Sequence, residues 1–255
     1  MQHSVDLNCD LGELEGDEGL ALDALMIPMV SSVNVACGQH AGDERRMSEI
    51  ARLCGIHSVA FGAHPGYADR EHFGRRVIAL SETQLRSLVL AQLELAARVA
   101  EGEGIQLAHV KPHGAMYNLA ARDEVTAGVV ADTIASFNQT LILYALSGSV
   151  LEAVARDRGL SVASEAFADR AYDSNAQLVS RTHDGAVLHD ATVIARRAVD
   201  MISTQAVESI DGKTLAMKID SLCVHGDTPN AHRIAEIIRR EMMAVGINIR
   251  RLQFS

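Results

Sequence analysis

Residues 5–13 read Val5-Asp6-Leu7-Asn8-Cys9-Asp10-Leu11-Gly12-Glu13. Apolar and polar side chains alternate strictly up to a glycine. In a strand, neighbouring side chains face opposite ways, so Val5, Leu7 and Cys9 share one face and Asp6, Asn8 and Asp10 the other. A half-buried strand normally shows scattered polar groups on its outer face. Here that face carries carboxylates and an amide, concentrated toward the C-terminal end. A parallel α/β enzyme needs this arrangement, because its ligand sits beyond the carboxyl ends of the strands. The pattern recurs near residue 110, where His109, Lys111 and His113 alternate with Ala108 and Val110.

Strand-like runs recur near 4–9, 31–36, 57–63, 106–112, 140–146, 161–167 and 219–225, and helical patterns fill most of the gaps. Ser81-Glu82-Thr83-Gln84 is a capping box. Leu85, Leu88, Val89, Ala96 and Val99 follow at helical spacing up to Gly102 and Gly104. A second helix is expected from Thr228-Pro229 and a third over about 190–202. Val207 to Lys218 reads as a β-hairpin around Asp211-Gly212 inserted before the last strand. No Pro/Gly/Ser-rich linker interrupts the chain. The expectation is one α/β domain over 1–255, a closed or nearly closed (β/α) barrel of about seven parallel strands. An open doubly wound sheet is the alternative.

The chain has 255 residues, 48% of them hydrophobic, with a mean hydropathy of +0.07, which suits a folded globular protein with a full core. A net charge of −10 argues against nucleic acid as the main partner. No apolar run approaches the roughly 20 residues of a membrane span. Met-Gln-His-Ser-Val-Asp has neither the basic region nor the apolar core of a signal peptide. Cys9, Cys37, Cys54 and Cys223 form no CxxC pair and read as reduced thiols in a cytoplasmic protein.

Several clusters combine groups that can do chemistry. Gly12 turns the chain sharply after Asp10, so Asp10 and Glu13 suit acid/base work or a cation, or Asp10 caps a helix. In Asn34-Val35-Ala36-Cys37-Gly38-Gln39-His40-Ala41-Gly42-Asp43, Asn34 lies on the polar parity. His40 and Asp43 form an imidazole–carboxylate pair, or Asp43 caps the next helix; both readings stand. Glycine and proline shape the loop around His64, and Arg75-Arg76 suit a carboxylate or phosphate, or are merely solvated. In His109-Val110-Lys111-Pro112-His113, three ionisable groups on one face are costly to bury without partners. Lys111 suits an oxyanion stabiliser and His113 a general acid/base. Glu165-Ala166-Phe167-Ala168-Asp169-Arg170 is a further charged strand end, with Arg181 beyond it. Cys223-Val224-His225-Gly226-Asp227 ends the last strand. There is no GxxxxGK[ST], HExxH, GxSxG or strand-borne GxGxxG.

Together DLNCDLGE, NVACGQHAGD, GAHPGYADREHFGRR, HVKPHGAMYN, EAFADRAY and CVHGDTP closely resemble the LamB/YcsF family, in order from Asp6 to about Pro229. The resemblance implies a barrel of about seven strands similar to polysaccharide deacetylases. It implies ATP-dependent opening of 5-oxo-L-proline to L-glutamate by a 5-oxoprolinase whose A subunit works with separate B and C subunits. The family's motif residues fall on Asn8, Asp10, Asn34, His40, Asp43, His64, Arg75, Arg76, Lys111, His113, Arg170, Arg181, His225 and Asp227. Gln39 stands where phenylalanine is expected and Ala68 where proline is. Residues 173–181 lack the expected glycine and the expected proline before arginine.

A lactam opens slowly in water, and a phosphate placed on its oxygen activates the carbon. The expected division of labour leaves much of the ATP chemistry to the partner subunits. Asp10, His64, Lys111 and His113 are then the catalytic candidates. Asn8, Asn34, His40, Asp43, Arg75, Arg76, Arg170, Arg181, His225 and Asp227 are the substrate-binding ones, with Arg75 or Arg76 on the substrate carboxylate. Two rivals stand beside this: a metal-dependent amidase or deacetylase using Asp10, His40 and His64, and a non-catalytic subunit that presents the substrate. A divalent metal and self-association are both left open.

Overall fold

The computed structural model describes residues 4–225 and 231–253. The polar parity of the first strand becomes the inside of a barrel. Strands β1 (Ser4–Leu11), β2 (Ser32–Ala36), β3 (Ala60–His64), β4 (Leu107–Val110), β5 (Ile142–Leu146) and β6 (Ser161–Phe167) pair in parallel and in sequence order. A hairpin, β7 (Ala206–Glu208) with β8 (Thr214–Ala216), precedes β9 (Ser221–His225). β9 lies between β6 and β1, parallel to both, and so closes a seven-stranded ring. Closure decides against the open sheet, and each expected strand run has its counterpart. A short strand, β10 (Asn248–Ile249), adds to the start of β1 outside the ring.

Helices α1 (Gly16–Met26), α2 (Glu44–His57), α3 (Glu82–Gly102), α4 (Gly114–Ala120), α5 (Glu124–Phe137), α6 (Val150–Asp157), α7 (Ala191–Thr204) and α8 (Ala231–Ala244) fill the connections. Helix α3 starts at the expected capping box, with Ser81 and Gln84 each accepting from the other's backbone N–H. Asp190 caps α7 through Thr192 N and Val193 N. The Thr228-Pro229 start expected for the last helix lies outside the described residues. The hairpin turns where expected, with Gly212 at φ 78°.

The apolar parity of the strands packs under the helices. Val5, Leu7, Val33, Val35, Phe61, Leu143, Val162 and Leu222 belong to one continuous core with helical residues such as Ile50, Val89, Leu93 and Ile238. Ile142, Tyr144 and Ala163 form a separate small cluster capped by Leu252, inside the N-terminal end of the barrel. Four cysteines are free and buried. No helix among the described residues is long and apolar enough to cross a membrane.

Polar residues fill the lumen in tiers. At the floor, Ser31, Ser32 and Ser221 donate to Asp6 at 2.5–2.6 Å and Tyr144 donates at 3.0 Å. Above it, His109 reaches across to Asn34 Oδ1 at 2.9 Å and stacks on Tyr144 at 4.4 Å. Residue 62 must be glycine for that. A Cβ there would stand 2.1 Å from His109 Nε2, far inside contact distance. Burial holds His109 neutral, its pKa pushed down to about 3, with the Lys111 charge adding to the effect. His109 therefore fills the lumen as a neutral ring.

Candidate active site

The top tier lies at the carboxyl ends of the strands. Lys111 follows β4 directly, and its backbone N–H still pairs with Ala63 O at 2.9 Å. Its side chain enters the lumen, almost fully buried. Nζ lies 2.9 Å from Asp10 Oδ1, 2.9 Å from Glu165 Oε1, 3.1 Å from Cys223 Sγ and 3.3 Å from Asn8 Oδ1. Burial opposes the ammonium charge, but Asp10, Cys223 and Glu165 outweigh it and hold the pKa well above the ordinary lysine value. Lys111 is a fixed cation.

The groups around it are themselves fixed. Asn8 Nδ2 donates to Glu165 Oε1 at 2.9 Å and to Ser221 Oγ at 2.7 Å. Asn34 Nδ2 donates to Asn8 Oδ1 and Asp10 Oδ1, both at 2.8 Å. Tyr117 of α4 donates to Glu165 Oε2 at 2.7 Å. Burial raises the Glu165 pKa, and the Lys111 charge pulls against that rise.

A second group sits beside this one. Gly12, at φ 74°, turns the chain after β1 and points Glu13 back over the barrel mouth. Its N–H donates to Asp23 Oδ2 at 3.2 Å, and Arg46 grips the same oxygen at 2.7 and 2.9 Å. Glu13 Oε1 lies 3.0 Å from His113 Nδ1, 3.3 Å from His40 Nε2 and 3.6 Å from His64 Nε2. Burial pushes the Glu13 carboxyl up, yet its contacts with His113 and His40, and then the charges of His113 and His64, hold it well below the carboxylate range. His64 Nε2 also lies 3.5 Å from Asp10 Oδ2, which joins the two groups. Burial drives the His64 pKa down to about 3, although Asp10 pulls the other way. Ligand atoms of Glu13, His40, His64 and His113 all lie within 4.8 Å of one another, a set that could hold a metal ion.

The structure thus brings together Asn8, Asp10, Asn34, His40, His64, Lys111 and His113. The other candidates are placed as follows, where they are described. Asp43 caps α2, accepting from Arg46 N at 2.8 Å, and the carboxylate beside His40 is Glu13. Arg170 is buried and donates to Val179 O at 2.7 Å and Ala186 O at 3.4 Å, which holds the 171–187 excursion in place. Its pKa is lowered by burial, then by the charge of Arg181 and, more weakly, of Arg75, so three arginines share this side of the mouth. Arg75 is exposed and lies over the Phe73 ring at 4.8 Å, and Arg76 is exposed with Nε 3.8 Å from Asp69 Oδ2. Their loop is tied to the centre, since Phe73 O and Gly74 O accept from His113 Nε2 and Ala115 N at 2.8 and 3.0 Å. His225 ends β9 opposite Asp10 in register; Asp227 lies outside the described residues.

Glu13, expected beside Asp10 as an acid/base or cation-holding group, and Glu165, expected in a charged strand end, prove central, and Tyr117 is an addition to the expected set. The sequence carries a signal for the two glutamates. Gly12 marks a turn that returns Glu13 to the mouth, and Glu165 is a carboxylate on the inward parity of a buried strand. Tyr117 carries no such mark, because only the packing of α4 shows where its hydroxyl goes.

Fold and site define a parallel (β/α) barrel with a buried acid–base–imidazole centre at the carboxyl mouth. The chain belongs to the LamB/YcsF family, which it matches over residues 5–255. It is similar to the 5-oxoprolinase A subunit of Syntrophobacter fumaroxidans, 44% identical over 245 residues that cover 96% of this chain and 97% of the relative. The 5-oxoprolinase A subunit of Nitrobacter hamburgensis is 45% identical over 247 residues, with 96% and 97% covered. A lactam utilization protein from Thermus thermophilus superposes with a TM-score of 0.91 at 41% identity, over 98% of this chain and all (100%) of that one. The T48 deacetylase shares the fold alone, at a TM-score of 0.51 and 11% identity over 97% and 87% of the two chains.

Proposed function

We propose that this chain is the A subunit of an ATP-dependent 5-oxoprolinase, which opens 5-oxo-L-proline to L-glutamate together with separate B and C subunits. The names and closeness of its relatives support the reaction. The observation in the chain itself that carries the reading is the buried Asp10–Lys111 pair, 2.9 Å apart, with His64 on the other oxygen of Asp10 at 3.5 Å. A fixed cation, a carboxylate and a neutral imidazole at one barrel mouth suit the opening of an amide.

ATP supplies a phosphoryl group that activates the lactam carbonyl, and the partner subunits carry most of that chemistry. Water then adds to the activated carbon, the C–N bond breaks, and the acyl phosphate left behind is hydrolysed to glutamate and phosphate. In this scheme Lys111 stabilises negative charge on the carbonyl oxygen. Asp10, held beside His64, takes the proton of the attacking water and passes it to the leaving nitrogen, steps worth about 10²–10⁴-fold each, while His113 fixes Glu13 beside them. Arg75 or Arg76, with Arg181 nearby, receives the substrate carboxylate. Asn8, Asn34 and His40 hold these groups in place. A divalent ion at the glutamate–histidine group belongs to the same reading, with Glu13, His64 and His113 as the residues that would hold it.

The enzyme works in the cytoplasm on a small molecule, without nucleic acid or membrane as partner. The deciding experiment mixes the purified chain with B and C subunits, ATP and 5-oxoproline and measures glutamate. Glutamate that requires the chain and ATP supports the reading. Glutamate formed by this chain alone, without ATP and abolished by a chelator, replaces it with the metal-dependent amidase.

A further inference from the structure

We propose that Glu13, His64 and His113 form a three-ligand site for a divalent transition-metal ion of the Zn²⁺ type, with a fourth position open toward Asp10 and with His40 as a support and not a ligand. The proposal deepens the ring-opening reading and rests on it for its chemical meaning. Ion binding itself is measured without substrate.

The backbone dictates which ring nitrogens face the cluster as acceptors. His64 Nδ1 lies 2.7 Å from Lys111 O and His113 Nε2 lies 2.8 Å from Phe73 O. A carbonyl oxygen only accepts, so each of these nitrogens carries a hydrogen. A neutral ring then presents a lone pair at its other nitrogen. Those two, His64 Nε2 and His113 Nδ1, stand 3.0 Å apart, and Glu13 Oε1 stands 3.0 Å from the second. Two lone pairs and a carboxylate oxygen facing one another at this range need positive charge between them, supplied by a proton on His113 Nδ1 shared with Glu13 or, in its place, by a metal ion. Anchoring the far nitrogen on a backbone carbonyl is also how metal-bound histidines are oriented.

The spacing fits an ion. Ligand atoms about 2.0–2.1 Å from a tetrahedral ion stand about 3.3–3.4 Å from one another. The three edges here are 3.0 Å (Glu13–His113), 3.0 Å (His64–His113) and 3.6 Å (Glu13–His64). The His64 and His113 rings are nearly perpendicular, at 84°, so their in-plane lone pairs can converge on one point.

His40 cannot join them. Its ring lies flat on that of His113, centroids 3.8 Å apart and planes 2° from parallel. An ion in the plane of one ring is far out of the plane of the other. His40 Nε2 instead faces Glu13 at 3.3 Å, and its Nδ1 is buried with no hydrogen-bond partner. Two imidazoles and one carboxylate suit Zn²⁺, Co²⁺ or Mn²⁺ better than Mg²⁺ or Ca²⁺, which favour all-oxygen sites. An ion so held supplies Lewis acidity beside the Asp10–Lys111 pair.

The test strips the full-length chain with a chelator, then titrates it with Zn²⁺, reading stoichiometry by elemental analysis and affinity by calorimetry. Co²⁺ absorption reports the ligand set. One ion per chain is expected. Changes to outer-shell partners cost about 10–100-fold in affinity, so loss of a ligand in Glu13→Gln or His113→Gln should cost at least about a hundredfold. Circular dichroism selects the variants that stay folded. His40→Gln should keep one ion and the wild-type Co²⁺ band. A folded wild-type chain with no stoichiometric ion overturns the proposal, as do folded Glu13→Gln and His113→Gln chains with undiminished affinity. A Co²⁺ band lost in His40→Gln overturns the three-ligand set. Zn²⁺ bound by a chain that makes no glutamate with its partners would leave the site standing and sink the ring-opening reading.

Discussion

Lys111 Nζ donates to Asp10 Oδ1 across 2.9 Å, with both side chains withdrawn from water and Glu165 Oε1 also 2.9 Å from the ammonium. One cation thus serves two carboxylates in the lumen of a barrel. Lys111→Met leaves both without their counter-ion. Breaking a buried pair in this way costs about 3–5 kcal/mol. Denaturant unfolding should show that loss, and Lys111→Met combined with Glu165→Gln should recover part of it. A Lys111→Met chain as stable as the wild type would mean that the pair is not desolvated as described.

Gly62 should resist any side chain. The Cβ of Gly62→Ala would overlap the His109 ring at 2.1 Å, and overpacking typically costs about 1–3 kcal/mol. A melting temperature lowered by several degrees is expected, partly restored when His109→Ala is added. An unchanged melting temperature would show that His109 does not cross the lumen.

Mild acid should destabilise the fold through its buried neutral histidines. His64 and His109 have folded pKa values of about 3, against 6.5 when free. Between those values the unfolded chain binds protons that the folded chain refuses, so stability falls as pH drops from 6.5 toward 3. By pH 5 each ring accounts for about 2 kcal/mol. Urea midpoints between pH 7.5 and 5 should record the fall, and His109→Gln should reduce it by about half. A flat profile would mean that these rings are not buried neutral.

Asp43 separates two roles within one side chain. As the cap of α2 it is worth about 1 kcal/mol, so Asp43→Ala should lose that much while Asp43→Asn keeps most of it. Full stability but lost glutamate formation in Asp43→Asn would show that the carboxylate also serves the site.

The barrel is legible in the sequence because period-two alternation and the turns between helices are local signals. Val5 to Glu13 alone show which face lies inside. Closure is less legible, because the pairing of β9 with β1 joins residues more than two hundred apart. The polar parity reads as a reaction surface throughout, yet its lower tiers, Asp6 and His109, are lumen filling. Alternation shows which face a residue takes but not how deep it lies. The spacing puts His113 on the strand with Lys111; it is instead the residue before α4, and Pro112 marks that change. Arg170 looks free to meet an anion when only its neighbours in sequence are considered. Its carbonyl partners, Val179 and Ala186, lie in an irregular excursion that no periodicity describes.

The most direct measurement uses Asp10→Asn and His64→Gln chains mixed with B and C subunits, ATP and 5-oxoproline, reading glutamate and phosphate separately. If Asp10 and His64 drive the ring opening, glutamate formation falls by about 10²-fold or more in folded variants. Glutamate at the wild-type rate from both variants would contradict the assignment of the ring-opening chemistry to this barrel.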